Sequence, residues 1–434
     1  MLRLLANRTF LYLFVAHLWA LLGTGLLTVA LALLAWKIAG PEAGVVLGTA
    51  LAIKMLAYVG LAPIAAAFAE SLPRRRLLIS LDLVRAGMAL MLPYVTEVWQ
   101  VYGLIFCLQA ASAGFTPVFQ AAIPEILPAE RDYTKALAWF RLAYDLESLL
   151  SPALAAALLA VAGASILFAG TALGFLASSA LIWASALGNP VRSVPMRRLW
   201  ERIGSGLSLY LASPRLRGLL ALNLAVAAAG AMVIVNTVVI VQATLGLGES
   251  HVALALGAFG GGSMLAALTL PPVLERLSDR SVMLGGAALL GVGLALAPFL
   301  LELRFAALLL LWVILGFGYA AVQTPSGRLL RRSSMPEDRP ALFAAQFSLS
   351  HLCWLLTYPL AGKLGAQIGL SKTFFVFALI ALASVTLTLR LWPKRMEVLI
   401  PHRHPELPPD HPHLLEYGGN SNHRHPPMGG SHVQ

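Results

Sequence analysis

The chain has 434 residues, of which 59% are hydrophobic and 12% charged, with a formal net charge of +11. A water-soluble protein carries about 25% charged residues, and no soluble chain of this length could hide so much apolar surface. The composition predicts a polytopic membrane protein, and continuous apolar runs exclude an outer-membrane barrel, whose strands alternate polar and apolar residues.

The apolar runs predict an all-α protein with twelve transmembrane helices. They fall near residues 10–36, 43–69, 77–96, 99–122, 134–161, 164–187, 216–244, 251–273, 281–301, 305–325, 341–366 and 372–391, each long enough to cross a bilayer. The first follows Met1–Arg8 directly and is too long for the core of a cleavable signal peptide. Between the sixth and seventh lies Gly188–Pro214, where Arg192, Arg197, Arg198 and Arg202 flank Leu199 and Trp200. That pattern fits a basic amphipathic segment at the membrane surface. The expected organisation is a six-helix bundle over 1–187, a linker over 188–215, a second six-helix bundle over 216–391 and a tail over 392–434.

Charge gives orientation. With the N-terminus in the cytoplasm, one set of loops carries Arg3, Arg8, Arg74–Arg76, Arg131, Lys135, the linker arginines, Arg276, Arg280, Arg328, Arg331, Arg332 and Arg339. The other set carries only Lys37, Arg304, Lys363 and Lys372. Positive loops stay inside, so both termini are expected in the cytoplasm of a bacterium, with the chain crossing its inner membrane many times.

Ionisable residues within a bilayer are costly and each needs a reason. His17 lies in the first helix, Lys54 in the second, Asp82 and Arg85 in the third, Arg141, Asp145 and Glu147 in the fifth, and His351 in the eleventh. Asp82 with Arg85, and Arg141 with Asp145, have spacings that pair on one helix face. Glu147 points about 200° away from Asp145, so one of the two is expected to face a cavity or a seam. A buried carboxylate can carry a proton one way and release it when a cation displaces it. Glu147 is the first candidate for that role and Asp145 the second, with His17 and His351 as metal or proton ligands. Lys54 would repel a bare cation unless a carboxylate, such as Glu147, pairs with it. Cys107 and Cys353 sit in apolar runs and are read as packing residues.

Seven of the ten histidines follow residue 400. His402, His404, His411, His413, His423 and His425 form His-x-His pairs, with Glu406 and Asp410 between them, and imidazole with carboxylate is a ligand set for late first-row divalent ions. The plainer reading is a polar tail without metal.

The two halves repeat one another. Thr116-Pro117, Pro128-Ala-Glu-Arg131 and Ser151-Pro152 answer Thr324-Pro325, Pro336-Glu-Asp-Arg339 and Tyr358-Pro359, at offsets of about 208, 208 and 207 residues. Glu70 with Arg74–Arg76 answers Glu275, Arg276, Asp279 and Arg280. Such duplication is expected of an alternating-access transporter. A carboxylate at a helix end can pair with arginine across the membrane face, so Glu70, Arg74, Arg75, Glu275, Arg276 and Arg280 are candidates for a gating latch. The plainer reading is that the arginines only fix topology.

On these residues the chain resembles a major facilitator superfamily permease over about residues 5–395. The family's loop signature corresponds to Ala66-Ala-Phe-Ala-Glu70-Ser-Leu-Pro-Arg74-Arg-Arg76, with glutamate for the usual aspartate and alanine and proline for glycines. Ile123-Pro-Glu-Ile-Leu-Pro-Ala-Glu-Arg131, followed by Ser151-Pro152, is similar to the macrolide and siderophore exporter branch, with Ser151 in place of a glycine. The tail resembles that of bacterial nickel-resistance permeases. The resemblance implies two bundles around a central cavity, with the second, fifth, eighth and eleventh helices at the seam. It also implies proton-coupled export of a divalent metal, nickel first and cobalt second. The alternative is export of a drug, siderophore or metal chelate. A third expectation, of another class, is a metal-responsive sensor without flux. Many aromatic residues in the cavity would favour the organic substrate; convergent Asp, Glu and His would favour the ion. No Walker motif and no nucleophile–base constellation is present in the sequence, so neither ATP coupling nor an enzyme is expected. Nor is a resident cofactor, a nucleic acid or an obligate protein partner; the expected partners are lipid, protons and the substrate.

Overall fold

In the computed structural model of the protein, the described residues are 7–69, 73–127, 129–188, 204, 206–301, 304–333, 339–393, 400–403 and 422–425. Twelve long helices hold nearly all of them. They are α1 (Arg8–Ala39), α2 (Ala43–Ala69), α3 (Arg74–Met91), α4 (Val98–Ile126), α5 (Glu130–Val161), α6 (Ser165–Ala184), α7 (Pro214–Val239), α8 (Glu249–Arg276), α9 (Asp279–Leu301), α10 (Phe305–Arg332), α11 (Arg339–Ile368) and α12 (Leu370–Leu391). Among the described residues, nine stretches are long and apolar enough to cross a membrane, the first, Arg8–Leu61, spanning α1 and most of α2.

Hydrocarbon offers the backbone no hydrogen-bond partner, so each span closes its own ladder. Local residues set the ends. The Asn7 side chain accepts from the Phe10 amide at 3.1 Å and starts α1. Gly40 ends it at φ +52°, donating its amide to the Trp36 carbonyl, a conformation that glycine adopts without strain. Glu97 and Gln100 cap the first turn of α4 reciprocally. Most predicted borders agree within a few residues, and two differ more. α3 stops at Met91, where Pro93 turns the chain into a single 3-10 turn. α10 runs on through Pro325 to Arg332, because a proline at membrane depth bends a helix more readily than it ends one.

Helices α1–α6 form one bundle and α7–α12 a second, and the seam between them is made chiefly by α2 against α11 and α5 against α8. Helices meet closely where one surface is glycine. Gly262 of α8 lies on the Val313 carbonyl of α10, and Gly316 of α10 lies on the Phe259 carbonyl of α8. In the first bundle, Thr171 of α6 donates its hydroxyl to the Gly23 carbonyl of α1 at 3.0 Å. α1 begins and α12 ends at the same face, the terminal face; the opposite one is the distal face.

The seam is tightest toward the distal face. Gly44 and Gly48 of α2 touch the backbone of α11 at Gly362 and Tyr358, and Gly257 of α8 meets Pro152 of α5. Asn236 of α7, buried, donates to the Ala361 carbonyl at 3.3 Å while its Oδ1 lies beside Gly44. Toward the terminal face, Tyr58 of α2 stacks on His351 of α11 and meets the ring of Phe347 one turn nearer that face. Only the end of the linker is described. Residues 206–212 are helical and dock on the second bundle, with the Tyr210 hydroxyl donating to Gln346. In the tail, β1 (Ile400–Arg403) pairs antiparallel with β2 (Asn422–His425).

The glycine seams predict a paired result. Gly262→Val would drive a side chain into the Val313 backbone and should cost about 1–3 kcal/mol by overpacking. Gly261→Val, where a Cβ meets nothing within 4 Å, should leave thermal unfolding of the purified protein close to the parent's.

Candidate transport site

Two ionic clusters occupy the first bundle, and they differ in burial. The outer one is sealed. Asp82 of α3 is fully buried and forms an ion pair with Arg85 one turn on. The Arg85 guanidinium lies between two rings, 4.1 Å from the centroid of Phe115 on α4 and 4.4 Å from that of Phe175 on α6. Aromatic faces attract a desolvated cation, so the pair and its rings tie α3, α4 and α6 together.

The inner cluster is only half-buried. Lys54 of α2 and Glu147 of α5 stand at mid-depth on helices of the seam, and both keep accessible surface. They interact electrostatically, with no contact ion pair between them. The Glu147 carboxylate and the Ser151 hydroxyl both sit over Gly25 of α1, where any larger residue would push them aside. One turn along α2 from Lys54, the Tyr58 hydroxyl reaches Ser112 and Thr116 of α4. Tyr58 stacks on His351, ring centroids 5.9 Å apart. The His351 Nδ1 donates to the Phe347 carbonyl at 2.7 Å, leaving Nε2 as the ring's acceptor.

His17 is held differently. Its ring stacks on Phe119 at 5.1 Å and meets the edges of Phe140 and Tyr144 at 5.2 and 5.3 Å. Its Nε2 is buried with no partner among the described residues. An aromatic box of this kind brings no second ligand to the imidazole. The side chains of Asp145 and Arg141 lie outside the described residues, so the expected pair between them does too.

The second bundle brings no Asp, Glu, Lys or Arg to mid-depth. It brings aromatic rings instead. Phe259 of α8, Tyr319 of α10, and Trp354 and Tyr358 of α11 form a chain with centroid spacings of 5.4, 6.4 and 4.9 Å. The first three keep accessible surface. Sequence reading missed this chain, although Trp354 and Tyr358 stand at helical spacing. Among the described residues, no group of three or more His, Cys, Asp or Glu is placed to share a metal ion.

The latch residues separate. Glu70 lies outside the described residues. Arg74 is buried at the start of α3, and Arg75 donates to the Trp183 carbonyl at the end of α6. In the second bundle, Glu275 and Arg276 are exposed. Asp279 holds the ion pair instead, with Arg328 and, at 3.5 Å, with Arg332 of α10. Asp279 begins α9 and faces α10, whereas Glu275 ends α8 and faces away. Arg280 donates to the Trp392 carbonyl at 2.6 Å. Cys353 is buried, but Cys107 is exposed rather than packed. Of the candidate tail ligands, His402, His423 and His425 are described by their backbone alone; His404, Glu406, Asp410, His411 and His413 lie outside the described residues. Register places His402 opposite His423 and Ile400 opposite His425, so those three histidines share one face of the ribbon.

Arg85→Leu should destabilise the protein by about 3–5 kcal/mol, because it strands the buried Asp82 carboxylate. Asp82→Asn combined with Arg85→Leu should recover a large part of that loss in thermal unfolding. A double variant no more stable than Arg85→Leu would show that the pair is not the source.

No curated protein matches the chain. Among solved structures it is similar to a bacterial homologue of the human lysosomal transporter Spinster, in an inward-facing and unoccupied conformation. The TM-score there is 0.70 at 13% identity, covering 89% of this chain and 97% of that one. A POT family transporter in complex with 5-aminolevulinic acid gives 0.66 at 12% identity, covering 88% and 96%. The nucleoside transporter NupG gives 0.64 at 12% identity, covering 88% and 98%. At such identities the likeness establishes the twelve-helix fold of the major facilitator transporters. The family described as transmembrane secretion effector matches residues 2–327, and the chain belongs to that family of major facilitator membrane transporters.

Proposed function

We propose that the protein is a proton-coupled exporter of an amphipathic organic cation, set in a bacterial inner membrane with its terminal face in the cytoplasm. The carrying observation is the pairing of unlike walls at the seam. A half-buried Glu147–Lys54 pair stands on α5 and α2, and a half-buried aromatic chain without charge stands on α8, α10 and α11, with α2 packed on α11 and α5 on α8. Coupling needs one carboxylate that holds either a proton or a substrate charge, and Glu147 is that group. Lys54 is its counter-ion in the empty cavity. A bare Ni²⁺ ion needs several nitrogen or oxygen donors around it, and among the described residues no three His, Cys, Asp or Glu converge to supply them. An organic cation spreads its charge and gains from aromatic faces. The basic loops support the orientation, and the secretion family supports the outward direction.

A second reading, export of a divalent metal with the tail as its collector, rests on the register of the ribbon. There His402, His423 and His425 share a face.

Inverted vesicles with an acidic interior test both, with ethidium and Ni²⁺ as separate probes. Ethidium should accumulate, an uncoupler should abolish it, and Glu147→Gln should bring it to the level of vesicles lacking the protein. Accumulation of Ni²⁺ without ethidium would reverse the order of the two readings. Calorimetric titration of the purified chain with Ni²⁺ should show binding that disappears when residues after Pro401 are deleted. That truncation should leave ethidium transport unchanged.

A further inference from the structure

A cavity of about 570 Å³ opens at the terminal face, away from the seam, between the start of α3 and the end of α6. Pro73, Arg75, Arg76, Ile79, Trp183 and Leu187 line it. Transport across the seam has no use for it, since none of these residues touches the second bundle's aromatic chain or the Glu147 cluster.

Its chemistry is split along the membrane normal. Arg75 and Arg76 sit on the first turn of α3. Among the described residues, neither has a carboxylate partner. Arg75 is fixed by its bond to the Trp183 carbonyl, and its Nε is left without an acceptor. Trp183 is 68% exposed, at the level where an indole marks the boundary of hydrocarbon and headgroup. Ile79, one turn deeper on α3, supplies an apolar wall and packs with Leu187 against the core of the first bundle. Two guanidinium groups above, an indole at the boundary and an aliphatic wall beneath match one kind of molecule, a lipid with an anionic head. Basic pockets between helices on the cytoplasmic side take such headgroups.

We infer that this cavity binds the phosphate headgroup of an anionic phospholipid from the leaflet at the terminal face, held by Arg75 and Arg76 with its chain along Ile79. The first-turn amides of α3, which no side chain caps, add to the attraction for phosphate. The lipid would brace α3, which carries Arg85, against α6, which supplies one of the two rings on its guanidinium.

Native mass spectrometry of the full chain tests the assignment. Phosphatidylglycerol and phosphatidylcholine are titrated separately into protein held in neutral detergent, with inorganic phosphate as a third ligand. The parent should bind phosphatidylglycerol in preference to phosphatidylcholine. Arg75→Gln with Arg76→Gln should weaken phosphatidylglycerol binding by roughly ten- to thirtyfold, at about fivefold for each charge, and leave phosphatidylcholine binding as it was. Should that variant fail to fold, Leu187→Glu, which sets a carboxylate against the headgroup, should weaken the same lipid selectively. Equal binding of the two lipids by the parent, or unchanged selectivity in the folded variants, would overturn the site. Inorganic phosphate displacing the lipid at matched concentration would overturn the lipid as its source.

Discussion

A charge at the centre of a bilayer costs about 3 kcal/mol even on the most lenient scales, and the first bundle meets that cost in two ways. Asp82 and Arg85 neutralise each other in a sealed compartment, with Phe115 and Phe175 taking the place of water on the guanidinium. Lys54 and Glu147 stay half-buried, with accessible surface. The sealed pair cannot change its charge without breaking the packing of α3, α4 and α6, so it behaves as structure. The half-buried pair, with no contact ion pair to break, can change charge more readily. The difference follows from depth and neighbours, since both pairs use the same two kinds of group.

The duplication built two similar bundles and then divided the labour between them. Charges at mid-depth fall on α2, α3 and α5, while the accessible rings of Phe259, Tyr319 and Trp354 fall on α8, α10 and α11. Substrate between the halves would therefore touch a wall that reads charge and a wall that reads shape. Under the proposed export, substrate leaves through the distal seam, which is built to part. Gly44 and Gly48 meet α11 backbone to backbone at the distal face, so little side-chain surface is interlocked there. Asn236 contributes one buried hydrogen bond at the same junction, a modest term of about 1 kcal/mol.

Much of this was legible in the sequence. The apolar runs and the loop arginines carry the spans, because the bilayer makes hydrophobic length and charge unusually informative. Asp82 and Arg85 are close in sequence, so their pairing follows from helix geometry. Glu147 stands out as a carboxylate with no cation at pairing distance on its own helix. What was not legible depends on long-range contact. Glu275 and Asp279 are four residues apart across a turn, and only the packing of α9 on α10 decides that Asp279 meets Arg328. The aromatic chain joins α8, α10 and α11, and no single helix announces it. The boxed state of His17 depends on Phe119 from α4 and on Phe140 and Tyr144 from α5. The register of His402 with His423 joins two tail segments that no local pattern links.

Under the proposed proton coupling, the Glu147–Lys54 pair also constrains its sign. With Glu147 ionised the cavity is neutral, and with Glu147 protonated it carries the single positive charge of Lys54. An anionic substrate would bind best to the protonated cavity and would travel with the proton. A cationic substrate would bind best to the ionised carboxylate, so it would compete with the proton and travel against it. Inward proton flow can drive secretion only in the second case. An anion would need another source of energy, such as the inside-negative membrane potential, which already drives anions outward. Proton antiport and a cationic substrate are therefore one statement about this cavity, and a cavity that carries Lys54 can host such a substrate only if its charge is spread widely enough to tolerate that neighbour.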